Sequence, residues 1–364
     1  MHKIKTETNM NLDPLTTYPL TTYPFISVCT PTFNRRPFIP FMIKCFEQQT
    51  YPKDRIEWII IDDGTDPIVD LVTHIKQVKY TYYKEKMLLG RKRNLMHNKC
   101  SGDIIIYMDD DDYYPPERIS HAVQTLQNNP TYLIAGCSEM YVYFDSRRKM
   151  YRCGPYKEYH STAATFAFRK ELLLETSYNN ENALAEEKHF LKNYTIPLKQ
   201  LDSLKSIIVF SHKHNSLNKE KLLDNLEMTR TVETNLQVDG YFIDPYLKQF
   251  YITDMNILLE NYEPGKPEHK PRLQEQMKLM EDERNKRIED HNKMLEAQQK
   301  FMTSCHRQGT GTGASARKDV DVDVDKQDYY EKQLSDKTYL INELLKKVKT
   351  LTIELDEYKK INNK

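Results

Sequence analysis

The sequence predicts an α/β protein built on a mixed sheet that is flanked by helices. From residue 25 to about residue 140, apolar strand-like runs alternate with helix-like segments, as in parallel strands joined by crossover helices. Two of these runs, residues 58–61 and 104–108, lead directly into aspartates, and the run at 25–29 leads into small polar groups. Because ligands of open α/β sheets bind at the carboxyl ends of the strands, we expect these three strand ends to line one crevice.

Each predicted element has its own signal in the sequence. Pro37 and Pro40 mark the start of the helix after the first strand, and Pro116 occupies the first turn of the helix after the aspartates. Residues 132–168 are rich in Tyr, Val and Phe and contain turn residues, which predicts a mixed or antiparallel region. The predicted strands are 25–29, 58–61, 78–83, 104–108 and 207–210, and the predicted helices are 38–49, 68–77, 91–100 and 116–129.

Composition divides the chain into five predicted parts. Residues 1–24 contain a short repeat of Leu-Thr-Thr-Tyr-Pro and indicate an extended tail, and residues 25–225 form the α/β domain. Residues 226–302 are predicted to be a helical extension, interrupted by prolines near residue 267. Residues 303–326 alternate glycine with threonine and then valine with aspartate, which predicts a disordered linker. Residues 327–364 are predicted to form a coiled coil.

The coiled coil is predicted from a repeat of seven residues. Leu334, Ile341, Val348 and Leu355 fall seven apart, and β-branched residues at this seam position favour a parallel two-stranded coil. The chain would then form a homodimer through this helix. The alternative is a single amphipathic helix that packs on the α/β domain.

Charge and composition exclude several classes of protein. The 53 basic and 53 acidic residues give a formal net charge of zero, which argues against a broad nucleic-acid surface. No run approaches 18 apolar residues, so no membrane span is predicted. The N-terminus lacks an apolar signal core, and the six scattered cysteines indicate reduced thiols, so we expect a cytoplasmic protein. Abundant Tyr and sparse Gly are typical of an AT-rich genome, such as that of a large DNA virus or a protist. If the source is viral, the host cytoplasm or the virion is expected.

Four consecutive aspartates, Asp109–Asp112, form the most informative motif in the chain. They follow a short apolar strand, and carboxylates in such a group raise one another's pKa unless a cation lies between them. Hard oxygen ligands suit Mg²⁺ or Mn²⁺, which commonly bind carboxylates together with substrate phosphates. The cluster therefore indicates a metal–diphosphate site. An acidic, solvated turn is the alternative.

Four motifs together resemble those of family 2 glycosyltransferases. They are Pro31-Thr32-Phe33-Asn34-Arg35, Asp62-Asp63-Gly64-Thr65, Gly90-Arg91-Lys92-Arg93-Asn94, and the segment from Gly102 to Asp112. The resemblance covers roughly residues 25–218. It implies a GT-A type, Rossmann-like mixed sheet and an inverting enzyme that takes a sugar from a nucleotide-diphospho sugar.

The resemblance also implies roles for individual residues. Asp109-Asp110-Asp111 matches the Asp-x-Asp motif, with Asp111 as a metal ligand and Asp109 facing the ribose and the metal. His212 matches a histidine that completes the metal or diphosphate site in some relatives, although a surface histidine pair with His214 is the alternative. The expected metal is Mn²⁺ or Mg²⁺.

The nucleotide itself is expected to contact a second group of residues. Asp63 matches the position that pairs with the imide nitrogen of uracil, while Asp62 could equally cap the next turn. Arginine suits phosphate because its guanidinium binds in a bidentate manner, although basic residues at a helix start are often only solvated. The predicted nucleotide-sugar ligands are Pro31, Thr32, Asn34, Asp63, Arg91, Arg93, Asp109 and Asp110.

An inverting transfer needs a general base that deprotonates the acceptor hydroxyl. Residues 185–190 resemble the family's acidic pair followed by an aromatic residue, with Glu-Glu in place of the usual Glu-Asp. Glu187 matches the base, and Glu186 stays open as the other candidate. An ordinary helix start with acidic residues is the alternative.

The predicted function is a metal-dependent transfer of a sugar, most simply from a UDP-sugar, to a hydroxyl of a glycan or protein acceptor. One alternative is a non-catalytic scaffold with a transferase-like fold that is oligomerised by its coiled coil. Another is a sugar nucleotidyltransferase, which generally uses a glycine-rich N-terminal loop. Residues 30–36 contain no glycine, which argues against that second alternative.

Overall fold

The computed structural model describes residues 23–224, 226–227, 229–283, 285–286, 289–290 and 293. The chain divides into two compact units, Met1–Lys286 and Arg287–Lys364, and almost all described residues belong to the first unit. Residues 1–22 of the predicted tail, the predicted linker 303–326 and the predicted coiled coil 327–364 lie outside the described residues.

Strands and helices alternate through most of the first unit. The strands are β1 (Ile26–Thr32), β2 (Ile56–Asp62), β3 (Val78–Tyr82), β4 (Ile104–Tyr107), β5 (Ile134–Gly136), β6 (Met140–Phe144), β7 (Lys149–Cys153), β8 (Ala167–Arg169), β9 (Leu198–Gln200), β10 (Ile208–Ser211) and β11 (Thr231–Glu233). The helices are α1 (Ile39–Glu47), α2 (Val69–Val72), α3 (Leu89–His97), α4 (Arg118–Asn128), α5 (Glu186–Phe190), α6 (Pro245–Gln249) and α7 (Met255–Glu260), and residues 271–283 are also helical.

The main sheet has seven strands in the order β3-β2-β1-β4-β8-β5-β9. The first four strands are parallel, β8 runs antiparallel to both of its neighbours, and β9 is parallel to β5. The predicted α/β class with a mixed sheet flanked by helices is therefore confirmed.

The central strands are buried on both faces, which explains why the sequence shows continuous apolar runs there. Every residue of β1, β2 and β4 is buried. Successive side chains point to opposite faces of a strand. Ile60 therefore joins the cluster that includes Phe46 of α1 and Ile119 of α4, whereas Ile59 joins the cluster that includes Met96 of α3.

The register of the parallel strands aligns their carboxyl ends. Thr32 at the end of β1 pairs with Asp62 at the end of β2. The backbone N–H of Met108, just after β4, donates a hydrogen bond of 3.1 Å to the carbonyl of Cys29 in β1. The loops after β1, β2 and β4 consequently start at the same edge of the sheet, as the sequence predicted.

A second sheet adds the residues around position 212. It has four strands in the order β10-β6-β7-β11, and an isolated bridge between Tyr113 and Ile208 links β10 to the segment just after the aspartates. The residues after β10 are thereby brought beside Asp111.

The segment after β11 packs on the helix α1 of the α/β domain. A π-helical turn, Phe250–Asp254, joins α6 to α7, and the ring of Phe250 stacks on that of Phe41 with 3.6 Å between centroids. Among the residues that the structure describes, no helix has the length and apolar character to cross a membrane.

One predicted helix is much shorter than expected. The sequence predicted a helix over residues 68–77, but α2 ends at Val72. The next residues form turns, with the N–H of Val78 donating to the carbonyl of Ile75, because the chain must already enter β3 at Val78.

Candidate active site

Asp63 is tied to the loop and helix that follow it. Its carboxylate accepts hydrogen bonds from the ammonium of Lys92 and from the backbone N–H of Met87, the latter at 2.6 Å. Lys92 also donates to the carbonyl of Thr32 at 2.8 Å, so one buried side chain joins the ends of β1 and β2. Both oxygens of Asp63 are thus engaged within the protein, and its contact with uracil stays a prediction.

The three basic residues of α3 take different positions. Arg91 is exposed and lies outside the cleft, whereas Lys92 and Arg93 are buried and line it. The predicted phosphate contact through Arg91 therefore finds no support in the structure. Lys92 was missed because neighbouring residues of a helix point in different directions, and the sequence does not show which of three consecutive cations faces inward.

Asp62 has the capping role that the sequence left open. Its Oδ1 accepts from the N–H of Gly64 at 2.8 Å, and its Oδ2 accepts from the N–H of Ile68 at 3.1 Å and from the hydroxyl of Tyr80 at 2.8 Å. These bonds fix the turn after β2.

Asn34 shapes the first loop and does not line the cleft. It is buried with φ of 52°, and its side-chain carbonyl accepts from the N–H of Asp66 at 3.1 Å. Gly64 packs so closely that a Cβ there would lie 2.6 Å from Asn34 Oδ1, which explains the glycine. Pro31 and Thr32, in contrast, line the cleft directly.

The four aspartates point in different directions. Asp109 and Asp111 are partly exposed, with 22% and 18% of their side chains accessible, whereas Asp110 and Asp112 are buried. The side chain of Asp112 lies against β10, where its carboxylate accepts a hydrogen bond of 3.4 Å from the backbone N–H of Phe210. The first three aspartates line the cleft, and Asp112 does not.

Arg35 and His212 compensate the charge of this cluster. Arg35 lies 3.6 Å from Asp110 and 3.2 Å from Asp111, measured between nitrogen and oxygen. The Nε2 of His212 lies 3.3 Å from Oδ2 of Asp111. Arg35 was not predicted as a site residue, although it closes the Pro-Thr-Phe-Asn-Arg motif.

Burial and neighbouring charges separate the pKa values of the aspartates. Burial, and then the charge of Asp111, raises the pKa of Asp110 to about 7. Burial would also raise the pKa of Asp111, but the hydrogen bond with His212 and the charge of Arg35 hold it well below the usual value. Asp111 is therefore the most readily ionised member of the group. Burial lowers the pKa of His212 to about 3, so its imidazole is neutral, which is the form that binds metals.

Part of a donor set for a divalent cation is present beside the cleft. Asp111 Oδ2 and His212 Nε2 already converge to 3.3 Å, and Oδ1 of Asp109 is buried without a hydrogen-bond partner among the described residues. In the described part of the chain, no group of three or more His, Cys, Asp or Glu side chains is arranged to hold a metal as it stands. Arg35 lies between Asp110 and Asp111 in this structure.

Arg93 connects the aspartates to the glutamate pair of α5. Its Nη2 lies 3.5 Å from Asp109, its Nε donates to Glu186 at 3.1 Å, and its guanidinium lies 4.3 Å from the centre of the Tyr107 ring. The remaining nitrogen, Nη1, is buried and has no partner among the described residues. The sequence predicted Arg93 at the site, and the structure places it there.

The two glutamates differ in their surroundings. Glu186 is buried and held by Arg93, whereas Glu187 is partly buried. Burial, and then the charge of Glu186, raises the pKa of Glu187 to about 7. The helix α5 that carries them begins after Ala185, which has φ of 49°. Neither glutamate lines the cleft itself, although Arg93 links the pair to it.

The cleft at the strand ends has a cavity volume of about 170 Å³. Beside the predicted residues it is lined by cations from distant parts of the chain, namely Lys86, Lys270 and Arg272. These residues belong to no local motif, so sequence reasoning had no signal by which to find them.

The fold and this cleft define an α/β domain with a cleft at the carboxyl ends of its parallel strands. Residues 27–193 match the family model described as glycosyl transferase family 2. This match covers a little under half of the chain, and it agrees with the resemblance to family 2 glycosyltransferases that the sequence motifs show.

Two similar proteins illustrate the extent of the match. A protein of Haemophilus influenzae named uncharacterized glycosyltransferase is 28% identical over 107 residues, which are 29% of this chain and 35% of the relative. Poly(ribitol-phosphate) beta-N-acetylglucosaminyltransferase TarS of Staphylococcus aureus is 26% identical over 109 residues, or 26% of this chain and 18% of the relative. The matched part is thus well under half of each relative's length.

Two solved structures show a partial likeness. The mannosyltransferase PcManGT from Pyrobaculum calidifontis, in complex with GDP-Man and Mn²⁺, has a TM-score of 0.43 at 18% identity and covers 52% of this chain and 57% of its own. The S. aureus TarS fragment 1-349 in complex with UDP-GlcNAc has a TM-score of 0.39 at 18% identity and covers 51% and 58%.

Proposed function

We propose that this protein is an inverting, metal-dependent glycosyltransferase that moves a sugar from a nucleotide-diphospho sugar, in particular a UDP-sugar, to an acceptor hydroxyl. One observation carries the proposal. In a family 2 domain, Asp109, Asp110 and Asp111 meet Arg35 and Arg93 in a single cleft at the strand ends. This combination of carboxylates and cations suits a diphosphate bound together with a divalent ion.

Different residues would bind the nucleotide, the diphosphate and the metal ion of the donor complex. Pro31, Thr32 and Asp63 are assigned to the nucleotide, because they lie at the ends of β1 and β2. We assign the phosphate contact to Arg93, whose Nη1 has no partner among the described residues, and not to the exposed Arg91. Asp109, Asp111 and His212 would hold Mn²⁺ or Mg²⁺, which supplies Lewis-acid stabilisation of the leaving diphosphate.

Glu187 is the proposed general base. Its carboxylate is free of the salt bridge that holds Glu186 to Arg93, and its pKa of about 7 suits proton transfer near neutral pH. In this mechanism Glu187 accepts the proton of the acceptor hydroxyl while that oxygen attacks the anomeric carbon. Arg93 holds Glu186, the neighbour of Glu187 on α5, and also contacts Asp109.

A donor-hydrolysis screen tests the proposal. Purified protein is incubated with Mn²⁺ and a panel of UDP-, GDP- and dTDP-sugars, and the released nucleoside diphosphate is measured. UDP-GlcNAc belongs in the panel, because the TarS relative is named as a beta-N-acetylglucosaminyltransferase. We expect release of UDP that the Asp111→Asn variant does not show. No release from any donor, together with no binding of any nucleoside diphosphate, would overturn the proposal.

We further propose that the segment 327–364, with its seven-residue repeat, makes the protein a homodimer. Replacing Ile341 and Val348 with aspartate would bury charges in an apolar seam and should give a monomer that still binds the donor nucleotide. Light scattering reports the oligomeric state. A monomeric parent chain would favour the alternative of a packed amphipathic helix.

A further inference from the structure

A segment beyond the matched family domain crosses the strand ends. We call residues 262–273 the C-terminal strap. Asn34 donates from Nδ2 to the carbonyl of Pro264 at 2.8 Å, and the hydroxyl of Tyr262 donates to Asp66 at 2.9 Å. These bonds attach the strap to the loops after β1 and β2, about 200 residues earlier in the chain.

The strap fits closely at its centre. A Cβ on Gly265 would lie 2.8 Å from the carbonyl oxygen of Asn34 and 2.6 Å from Nδ1 of His214, so a side chain there could not keep this position. The carbonyl of Gly265 also accepts from Arg35 at 3.5 Å, and Arg35 in turn contacts Asp111. The position of the strap is thus coupled directly to the aspartate cluster.

The strap brings a buried cation into the cleft. Lys270 is only 7% exposed, and it lines the same cavity as Asp110 and Asp111. Its ammonium donates to the hydroxyl of Ser216 at 3.2 Å, and it forms no salt bridge with a carboxylate among the described residues. Burying an ammonium group without a paired counter-ion is unfavourable, so the charged form of Lys270 gains stability when an anion binds beside it.

A second lysine strengthens this arrangement. Lys86 also lines the cavity, donates to the carbonyl of His269 on the strap at 3.2 Å and lies 4.0 Å from the centre of the Phe33 ring. Lys86 is exposed as a whole residue, but partial burial of its amine lowers its pKa to about 8; burial followed by the charge of Arg35 lowers the pKa of Lys270 to about 7. Two amines therefore share one cavity, and neither forms a salt bridge with a carboxylate in the described part of the chain.

We propose that Lys270 binds the diphosphate of the donor and that the C-terminal strap completes the donor cleft. The inference rests on the proposed function for the identity of the donor, but the anion site itself is defined by Lys270, Lys86 and the cavity that they share. Its chemical class of ligand is a pyrophosphate group, free or as part of a nucleoside diphosphate. The family model ends at residue 193, so this part of the site comes from outside the matched domain.

Calorimetry on the full chain tests the inference with UDP, uridine and inorganic pyrophosphate as probes, all in the presence of Mn²⁺. Lys270→Met keeps the length of the side chain and removes its charge, and we expect it to weaken binding of UDP and pyrophosphate by about tenfold or more while uridine binding is unchanged. Lys270→Arg should restore most of the affinity. The matched control is Lys266→Met, which removes an exposed strap lysine whose one salt bridge within the described residues is with Glu263.

The outcomes separate this inference from the proposed function. If the parent binds UDP and Lys270→Met binds it equally well, the inference is overturned and the proposed function stands. If pyrophosphate binding depends on Lys270 but no nucleotide sugar binds, the anion site stands and the proposed function fails. If the parent protein binds neither UDP nor pyrophosphate, both the inference and the proposed function are contradicted.

A second measurement needs no variant and covers the case in which Lys270→Met does not fold. Hydrogen exchange of the backbone amides in residues 262–273 should slow when UDP and Mn²⁺ are added to the parent protein, because the ligand holds the strap in place. Unchanged exchange at saturating UDP would overturn the inference.

Discussion

The charged side chains are paired differently on the two sides of the cleft, the strand ends and the C-terminal strap. On the strand-end side, each of the three aspartates that line the cleft has a cationic partner: Asp109 pairs with Arg93, and Asp110 and Asp111 pair with Arg35. On the side of the C-terminal strap, Lys270 has only the hydroxyl of Ser216 among the described residues. The strand-end carboxylates are therefore paired within the protein, whereas the amine of Lys270 has no carboxylate partner in the described part of the chain.

This difference assigns separate tasks to the two sides. Residues on the sheet are fixed by strand register and buried packing, so they can hold reacting groups in place before the substrate arrives. The strap is attached by a few hydrogen bonds, from Asn34 and Arg35 to the strap and from Tyr262 of the strap to Asp66. The charge of Lys270 on the strap should therefore contribute to ligand binding more than to the chemical step. If the strand-end side and its linked glutamates carry the chemistry, substitutions there should change transfer more than substitutions on the strap.

The largest effect is expected at the proposed base. Glu187→Gln should lower the rate of sugar transfer by about a hundredfold or more, because the acceptor hydroxyl loses its proton acceptor. The affinity for the UDP-sugar should stay the same, since Glu187 does not line the donor cleft. Steady-state kinetics and calorimetry measure the two quantities. Glu186→Gln is the neighbouring control and should affect transfer less; the reverse order would make Glu186 the base.

The next effect concerns pH. Burial and Glu186 raise the pKa of Glu187 to about 7, and only the ionised carboxylate can accept a proton. Transfer at saturating donor should therefore rise between about pH 6 and pH 8 and level off above. Asp110, with a pKa of about 7, ionises in the same range, so UDP affinity is measured at each pH as the control. A transfer rate that does not change over this range would contradict the assignment.

The smallest effect concerns stability, and here the two glutamates should differ in sign. The folded-state pKa of Glu187 is raised, so this group favours folding at low pH, and that contribution is lost as pH rises from about 4 to about 7. Above pH 7, Glu187→Gln should increase the free energy of unfolding by about 1 kcal/mol. Glu186→Gln should decrease it, because buried Arg93 would lose a partner.

Denaturant unfolding at pH 8 in EDTA, without nucleotide, measures this pair of effects. If the Glu187→Gln variant is more stable than the parent but inactive, Glu187 lowers the stability of the folded protein while it serves the reaction. If both variants were destabilised to the same degree, the pKa of Glu187 would not be raised by burial.

The parts of the site that the sequence predicted are those that follow a strand directly. Asp63 and Asp109–Asp111 come immediately after buried β-branched runs, so the strand pattern places them at the sheet edge without any knowledge of long-range contacts. Pro31 and Thr32 are placed by the same reasoning. The mixed character of the sheet was also predictable, since residues 132–168 lack the spacing of crossover helices.

Other parts depend on contacts that no local pattern encodes. Whether Arg91, Lys92 or Arg93 faces the cleft depends on the rotation of α3 against the sheet, which is set by packing. Lys270 reaches the cleft because Tyr262 and Pro264 bind loops more than 190 residues earlier. The early end of α2 depends on where β3 must begin.

The central claim, that the strand-end aspartates bind a metal–diphosphate, is tested most directly by titrating the protein with UDP in a calorimeter, once with Mn²⁺ and once with EDTA. The parent should bind UDP markedly more tightly with Mn²⁺, and Asp111→Asn should lose this difference while its circular dichroism spectrum matches that of the parent. Equal UDP affinity of the parent with Mn²⁺ and with EDTA would contradict the claim.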